Sequence, residues 1–543
     1  MNGQPLEFIA QHHALVFVCA SSDDDADEER VVRAFVSSSA PAAAAAAVWS
    51  PRSLFKVVAV RDKLRLPPLK ARLSSNQPGQ HSPISPLSPG SPLYPDGLIA
   101  PVWVRKHRDL VPCALVHVAQ LHLVVSSDAD PLGTSTAQQR EDEDSHDAAL
   151  VRQLTETSAL LAPRGIKQVL VVLVPARSHG HDAESIDARL ASIRRQAALD
   201  SHASLFVLPL SSHDDDDGHH AFVEQVKSDL APHAADYYRE HARRVRRKRS
   251  RPPPPSSLVP QQGLTERGWA VRYEYKSAYF AEVRADTPLA LKHYTDAYAA
   301  LVDLFHSTRT ATTGAGPATV PVLRARSKRW AEAKVLADCT AIKIAKLHLY
   351  AAAAAAGAQA QAIATTQAAA VLSRHLDVFA TLSTDTWAIR TDTFEFDSWR
   401  AKQLRSFAEL IALATSSSSW TVPPPAWQHS HSSSSSPATT TTPASLVPHV
   451  PAHTLAHAGL YYANAARATM DRLARFESAR ETFNAVNEAA DGDQRQEVRL
   501  PPALEYERKV DHADLIIDVR LLSLSLARNR SLARSLLTRR HSS

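Results

Sequence analysis

The chain is poor in glycine, with only 15 glycines in 543 residues. Phosphate-binding loops need glycine because the backbone must turn sharply and approach the phosphate closely. Neither a Gly-x-x-x-x-Gly-Lys-Ser/Thr loop nor a Gly-x-Gly-x-x-Gly turn follows any strand-like segment. Gly314 and Gly316 lie in a Thr- and Ala-rich segment without a lysine, which we interpret as a loop. The sequence therefore contains no recognisable nucleotide-binding motif.

Cysteine is also scarce. Cys19, Cys113 and Cys339 are far apart and odd in number, which excludes a disulfide framework and predicts reduced, buried thiols in a cytosolic protein. The sequence lacks a Gly-x-Ser-x-Gly elbow, a His-Glu-x-x-His helix and a Cys-x-x-Cys pair, whose spacings the corresponding chemistries require. We therefore predict no catalytic residues, no cofactor-binding residues and no metal site.

Some acidic and histidine-rich segments have the composition of metal sites but not their spacing. Residues 23–25 are all Asp and follow the first strand-like segment. A phosphoacceptor site also needs an Asp and a Lys after later strands, and these are missing, so we predict a solvated acidic loop. The histidine-rich segments lack a cysteine or a second constrained pair, which favours surface histidines. These are His179, His181, His213, His219, His220, His453 and His457.

Signals for targeting and membrane insertion are weak. No basic region precedes the first apolar run, which Gln11, His12 and His13 interrupt, so we predict no signal peptide. The longest stretch of low charge, residues 349–372, is mostly Ala with three glutamines. That composition is not apolar enough for a bilayer span and predicts a helix in water or a loose Ala-rich insert.

The distribution of charge is patchy. The net charge is +5, but acidic runs at 23–29 and 214–217 contrast with one basic run at 243–251. This segregation is not the composition of a nucleic-acid-binding protein, and we predict no nucleic-acid partner. Hydrophobic residues make up 44% of the chain, enough for globular cores, and the length predicts two or three folded units.

Residues 1–230 have the pattern of an open α/β domain. The uninterrupted apolar run at 169–174 indicates a strand covered on both faces, as in a parallel sheet between helices. Apolar residues at three- and four-residue spacing predict a covering helix at 183–199. We predict five strands, at residues 14–20, 54–61, 113–121, 167–175 and 203–210.

Polar, Ser- or Pro-rich segments interrupt this domain and predict insertions without fixed structure. They are residues 37–47, 74–95, 126–147 and 211–220.

A basic helix and a proline-rich linker follow the α/β domain. A charged helix at 224–249 ends in the basic run, and the four prolines at 252–255 forbid further helix. We therefore assign residues 231–262 to the helix end and the linker. The basic run has three interpretations: a solvated helix end with its linker, a contact with an anionic membrane or a partner, or a nuclear import signal.

Residues 263–518 predict a second, all-α domain. Strand-like runs disappear after residue 262, and Ala-rich amphipathic segments with Trp and Tyr at helical spacing replace them. Within this domain, residues 416–450 are rich in Ser, Thr and Pro and predict a flexible insertion. We predict helices at 264–285, 288–306, 327–351, 361–382, 397–414, 455–489 and from 502 onward.

Part of this domain has the spacing of tetratricopeptide helix pairs. Ala290, Tyr294 and Ala297 match the second helix of such a pair, and Ala278 lies twelve residues before Ala290, where the first helix needs a small residue. Other consensus positions do not match. We expect these residues to pack helix against helix and to build a solenoid whose surface carries the function.

Five ordered segments of this domain stand out: VRYEYKSAYFAEVR (271–284) followed by ALKHYTDAY (290–298), RWAEAKVLAD (329–338), WRAKQ (399–403), FAEL (407–410) and GLYY (459–462). Together they resemble the foie gras domain family of vesicle-tethering components. Residues 512–518 still resemble the family, whereas 519–543 form a divergent tail biased to Leu, Ser, Arg and Ala. Because family members continue well beyond this point, we expect a fragment or a misread exon boundary.

The resemblance implies a non-enzymatic scaffold subunit of a TRAPP-type tethering complex. Such a complex acts between the endoplasmic reticulum and the Golgi and in autophagy, and when assembled it activates a Rab GTPase. The implied partners are other TRAPP subunits and, indirectly, a Rab GTPase and Golgi membranes, with a cytoplasmic location on those membranes. Two alternatives stay open: a nucleotide-binding α/β enzyme, and a nuclear adaptor that uses residues 243–251.

Overall fold

The structure is a computed structural model of the chain. It describes residues 5–22, 25–39, 55–61, 64–67, 97–123, 134–175, 183–200, 203–210, 216–250, 264–310, 327–354, 357–386, 391–415 and 455–489.

Five strands and twelve helices are labelled in chain order within this described part. The strands are β1 (Ala14–Ala20), β2 (Phe55–Ala59), β3 (Ala114–Gln120), β4 (Lys167–Val174) and β5 (Leu205–Pro209). The helices are α1 (Leu6–Ile9), α2 (Ala26–Ser37), α3 (Pro101–Arg105), α4 (Thr134–Leu161), α5 (Ala183–Gln196), α6 (Asp216–Arg249), α7 (Glu266–Val283), α8 (Thr287–Thr310), α9 (Lys328–Ala354), α10 (Ala358–Thr381), α11 (Phe394–Thr415) and α12 (Ala458–Ala489).

The five strands form one parallel sheet in the order β2-β1-β3-β4-β5. This is the order of flavodoxin-like doubly wound folds, in which the strand order reverses between β1 and β3. Val169 to Leu173 in β4 are all buried. Since side chains alternate between the two faces of a strand, both faces of the sheet are covered there. The predicted α/β fold and its five strands are confirmed.

Helices α4 and α5 cover one face of the sheet. Leu154 of α4, with Leu190 and Ile193 of α5, packs in one apolar cluster with Leu170 and Val172 of β4. Helix α2 contacts β1, β2, β3 and α6. The helix predicted at 183–199 is confirmed, because α5 begins at Ala183 and ends at Gln196.

Two of the predicted unstructured segments are partly wrong. Residues 134–147 belong to α4, and residues 216–220 belong to α6. The acidic start of α4 is helical because Arg189 of α5 pairs with it. Arg189 donates two hydrogen bonds to Asp147, at 2.9 and 3.0 Å, and one to Glu143 at 3.0 Å. This arginine thus neutralises acidic side chains of α4 from a different part of the sequence. The segment 74–95 and most of 37–47 lie outside the described residues, as do 126–133 and 211–215.

The described residues divide into two compact units, which are interleaved along the chain. The α/β unit comprises the described residues of Ala10–Pro254 and Tyr275–Ala290. The helical unit comprises those of Met1–Ile9, Pro255–Glu274 and Leu291–Ser543. Helix α7 therefore supplies residues to both units. The boundaries predicted at 230 and 263 stay a prediction.

The second half of α7 is part of the core of the α/β unit. Tyr279 and Phe280 are buried, and their rings lie 5.1 and 5.6 Å from that of Trp103. The His12 backbone N–H, just before β1, donates to the Glu282 carboxylate at 3.2 Å. This segment thus packs beside the start of the sheet.

The helical unit is built from antiparallel helix pairs. In the first pair, His293 Nδ1 lies 2.8 Å from Glu274 Oε2, and Arg267 donates to the Asp303 carbonyl near the other end. Helices α9 and α10 form the second pair and α11 and α12 the third. The predicted helical solenoid is confirmed, with six of its seven predicted helices described and each within four residues of the predicted bounds.

Several predictions for this half concern undescribed residues. The insertion 416–450, the tail 519–543, the helix from 502, the prolines 252–255, and Gly314 and Gly316 all lie outside the described residues. The Ala-rich stretch 349–372 is divided between α9 and α10. None of the helices in the described part of the chain combines the length and apolar composition needed to cross a bilayer.

Candidate functional site

The carboxyl edge of the sheet between β1 and β3 is where open α/β folds bind ligands. Here the side chain of Glu28 fills that position. Its Oε2 accepts the backbone N–H groups of Ser21 and Ser22 at 2.8 and 2.9 Å, and its Oε1 accepts that of Gln120 at 2.7 Å. Glu28 is only 3% exposed. Its carboxylate takes backbone donors that could otherwise receive a bound anion.

Burial raises the pKa of Glu28, and the three backbone hydrogen bonds oppose that rise. The neighbouring Asp25 is the N-cap of α2 and accepts the backbone N–H groups of Asp27 and Glu28 at 2.9 and 3.2 Å. The last residue of the acidic run 23–25 therefore starts a helix, a role that short acidic side chains perform well. Residues 23 and 24 lie outside the described part.

A cysteine, a histidine and a glutamine line up across β1, β3 and β4. Cys19 Sγ lies 3.3 Å from His117 Nδ1, and His117 Nε2 lies 3.3 Å from Gln168 Nε2. This order of side chains resembles a nucleophile, a base and an orienting amide. Sequence spacing did not indicate it, because the three residues are adjacent only through strand pairing.

The hydrogen bonds run in the wrong direction for catalysis. Gln168 Nε2 also donates to the Leu154 carbonyl at 2.9 Å, so it is the amide nitrogen that faces His117. An amide nitrogen can only donate, which makes His117 Nε2 the acceptor and leaves the proton on Nδ1. Nδ1 therefore donates to Cys19 and cannot take its proton. Burial raises the pKa of Cys19 to about 12 and lowers that of His117 to about 4, so both groups stay neutral near pH 7.

A buried carboxylate connects the helices of the helical unit. Asp338 of α9 accepts from His375 Nε2 of α10 at 3.1 Å, from Trp399 Nε1 of α11 at 3.2 Å and from Gln403 Nε2 at 2.9 Å. His375 Nδ1 in turn lies 2.8 Å from the hydroxyl of Tyr298 in α8. We call these five residues the Asp338 network, and they join four helices.

The Asp338 network has the order of a hydroxyl, an imidazole and a carboxylate, but it lies in the core. When Nε2 of a neutral His375 ring donates to Asp338, Nδ1 is the acceptor and the Tyr298 hydroxyl donates the hydrogen bond. Burial, together with the Asp338 charge, raises the pKa of Tyr298 well above its usual value. Tyr298, His375 and Asp338 are all less than 10% exposed. The arrangement fixes how the four helices pack.

The segments that resemble the foie gras domain meet in space. Segment 329–338 supplies Asp338, and segment 399–403 supplies both Trp399 and Gln403. Lys334 Nζ lies 5.2 Å from the Trp399 ring centroid, a cation–π contact between the same two segments. Segments 407–410 and 459–462 meet through the Phe407 and Tyr461 rings, whose centroids are 4.7 Å apart. These segments thus contribute residues to the packing of the helices.

Within the described residues, one group of side chains could hold a metal ion. Glu274 of α7, with His293 and Asp296 of α8, brings ligand atoms within 4.8 Å of one another. The 2.8 Å distance between Glu274 and His293 is that of a hydrogen bond between the two helices, which explains their closeness without a metal ion. Of the predicted surface histidines, His179, His181, His213 and His453 lie outside the described residues. His219, His220 and His457 belong to no metal-binding group in the described part.

The structure describes the three cysteines and the four residues that the tetratricopeptide spacing assigns to helix packing. The three cysteines form no disulfide, and Cys113 and Cys339 are buried whereas Cys19 is partly buried. Ala278, Ala290, Tyr294 and Ala297 are fully buried, as the predicted role in helix packing requires.

Known proteins resemble the chain in both halves. Residues 9–216 match the family model of the trafficking protein particle complex subunit 11 N-terminal domain, and residues 329–535 match Foie gras liver health family 1. Trafficking protein particle complex subunit 11 from Homo sapiens, Gallus gallus and Bos taurus is 26% identical to the chain over 318 residues.

The aligned region is 58% of this chain and 22% of each relative, so the chain matches about a fifth of their length. The two family models match different segments, which together make up about three quarters of the chain. The comparisons therefore confirm the predicted resemblance to the foie gras family and to the N-terminal portion of trafficking protein particle complex subunit 11.

Proposed function

We propose that the chain is a non-enzymatic scaffold subunit of a TRAPP-type vesicle-tethering complex. Its partners are other TRAPP subunits and, indirectly, a Rab GTPase and Golgi membranes, in ER-to-Golgi transport and autophagy. The observation that carries the proposal is the family match in both halves of the chain, 9–216 and 329–535, in that order.

The architecture supports a scaffold. Stacked helix pairs present long continuous surfaces, on which an interface can be large without any single pocket. The Asp338 network connects α8, α9, α10 and α11, which suits a subunit that must present a fixed surface.

The chemistry of the described residues supports a non-enzymatic role. Glu28 fills the ligand-binding edge of the sheet, and Cys19 faces the N–H of His117 instead of a free lone pair. Tyr298, the hydroxyl of the Asp338 network, is buried and has a raised pKa.

The test is to express the tagged full chain in cells and isolate it together with its endogenous partners. We expect TRAPP subunits to co-purify and to co-elute with the chain in one large species on gel filtration. A deletion variant without residues 416–450 should recover the same subunits, because such a composition contributes little to an interface.

The Asp338→Ala variant is compared with this deletion. It should lose the TRAPP subunits, because the packing of the helices loosens without the Asp338 network. Recovery of well-folded full chain without any TRAPP subunit would overturn the proposal.

A further inference from the structure

The C-terminal end of α6 presents basic side chains in nearly every direction. From His241 to Arg249 the helix contains no acidic residue. Val245 is buried, whereas the six basic residues around it are exposed, with Arg243 and Arg244 exposing 60% and 57% of their side chains. Since successive helical residues are rotated by about 100°, these cations surround the helix end and do not form a stripe.

Packing in the α/β unit brings other cations to the same place. The His241 ring stacks on Phe280 of α7 at 5.5 Å and meets the His107 ring at 5.3 Å. Lys106 is the chain neighbour of His107, and Arg284 donates to the Phe280 carbonyl at 3.2 Å. Two cations from distant parts of the sequence therefore lie next to the end of α6.

The electrostatics agree with this geometry. The pKa of Lys106 is lowered by burial and then by the charges of Arg164 and Lys248. The pKa of Arg284 is lowered by burial and, against the attraction of Asp286, by Arg239 and Arg246. Repulsion among these cations, which come from four separate parts of the sequence, indicates that positive charge is concentrated here. We call Lys106, Arg164, Arg284 and the basic residues of 239–249 the basic surface.

The carboxylates around the basic surface are already engaged. Asp236 pairs with Arg239. Glu240 contacts Arg243 and Arg244 at 3.8 and 3.3 Å, and Asp286 contacts Arg284 at 3.6 Å. An anionic ligand would therefore meet an excess of positive charge.

We propose that the basic surface binds the anionic phospholipid headgroups of a membrane directly. Because the cations surround the helix end, they fit a flat surface of many lipid headgroups better than they fit a single extended strand of nucleic acid. The aromatic rings beneath the surface, among them His107, Tyr238 and Phe280, are buried, so nucleic-acid bases find none of them to stack on. The six exposed side chains of 243–249 are all basic, which makes the contact electrostatic and peripheral.

The physiological meaning of this contact rests on the proposed tethering function, but the contact itself can be measured alone. The purified full chain is mixed with vesicles of phosphatidylcholine, with or without one third phosphatidylserine, and sedimented. We expect binding only to the anionic vesicles, and its loss at high salt. The combined Arg246→Gln, Arg247→Gln and Lys248→Gln variant should bind more weakly by about fivefold for each removed cation.

The matched control removes the same charge from exposed sites elsewhere in the α/β unit, by Arg33→Gln, Arg152→Gln and Arg195→Gln. If this control weakens vesicle binding as much as the first variant, the binding reflects net charge and the proposal is overturned. The proposal is also overturned if the folded chain ignores anionic vesicles, or binds duplex DNA or polyglutamate more tightly at equal salt. A chain that assembles with TRAPP subunits yet ignores vesicles refutes this inference alone, and a chain that binds vesicles but recruits no subunit refutes the tethering function.

Discussion

The Nζ of Lys346 donates to the backbone carbonyl of Ile9 at 2.7 Å, although 337 residues separate them. Lys346 lies in α9 and is fully buried, and Ile9 is the last residue of α1. A buried cation is stable only with partners, so the start of the chain helps to satisfy a charge in the core of the helical unit.

Deletion of residues 2–9 should therefore destabilise the helical unit more than lost apolar contacts explain. The Lys346→Met variant removes the charge but keeps the shape, which allows a double-mutant cycle. We expect the deletion to cost about 1.5–3 kcal/mol more in the wild-type background than in the Lys346→Met background, the value of a hydrogen bond to a charged group. Urea unfolding measures all four proteins, and equal costs in both backgrounds would contradict the predicted coupling.

Replacement of Asp338 by Ala should be among the most damaging changes in the helical unit. It leaves the donors of His375, Trp399 and Gln403 buried without their acceptor, and the loss of one partner from such a network costs about 3–5 kcal/mol. The melting temperature should fall by several degrees. Glu477→Ala, at an exposed site in α12, is the control and should have little effect.

Glu28→Gln should weaken the carboxyl edge of the sheet. A glutamine presents one acceptor oxygen and one amide group to three backbone N–H donors, so at least one donor loses its bond, at about 1–3 kcal/mol. The adjacent Glu29→Gln removes only a surface pair with Arg61, worth about 0–1 kcal/mol. Hydrogen exchange of the backbone amides of β1 and β3 measures the stability of each variant and distinguishes Glu28→Gln from Glu29→Gln.

The same edge should not bind nucleotides in the wild-type protein. Residues 1–230 carry no phosphate loop, and the Glu28 carboxylate already uses the backbone N–H groups. We expect no heat of binding with GTP or ATP in calorimetry of the full chain. Micromolar affinity for either nucleotide would contradict this.

His117 should make the α/β unit sensitive to acid. Its folded pKa of about 4 lies below the usual 6.5, so the unfolded chain binds a proton that the folded chain does not. The resulting stability is fully present above pH 6.5 and is lost as the pH falls toward 4, about 3 kcal/mol at most. His117→Gln should flatten this part of the pH profile in hydrogen exchange of β3 and β4. His220→Gln, at an exposed site in α6, should leave the profile unchanged.

Ala290→Trp should destabilise the fold, because Ala290 is fully buried and a large ring overpacks its surroundings by about 1–3 kcal/mol. Ala299→Trp is the control on the same helix, since Ala299 is exposed. Equal melting temperatures for the two variants would mean that the surroundings of Ala290 adapt to the ring.

A structural feature of this protein can be predicted from the sequence when the residues that determine it lie close together along the chain. The strand at 167–174 and the helix at 394–415 follow from local apolar patterns, and the sequence predicts both within about three residues. Helix α4 is not predicted, and residues 126–147 are assigned to an unstructured insertion, because the arginine that pairs with its acids, Arg189, is more than forty residues away.

The candidate sites depend on even longer separations. Glu28 meets Gln120 across 92 residues, and Asp338 meets Gln403 across 65. Periodicity indicates that a residue is buried but not which partner it meets. Asp338, Trp399 and Gln403 could be found in advance only through the family resemblance, and nothing in the sequence pointed to Glu28.

The contact between Ile9 and Lys346 also has a consequence for folding during synthesis, because it can form only late. The ribosome makes Ile9 first, and 337 further residues must follow before its partner exists, which takes roughly twenty seconds to one minute. Until then Phe8 and Ile9, both buried in the folded chain, lack the contacts that α1 makes with α9. Chaperones that recognise short apolar segments therefore have a defined window in which to hold the N-terminus of this protein.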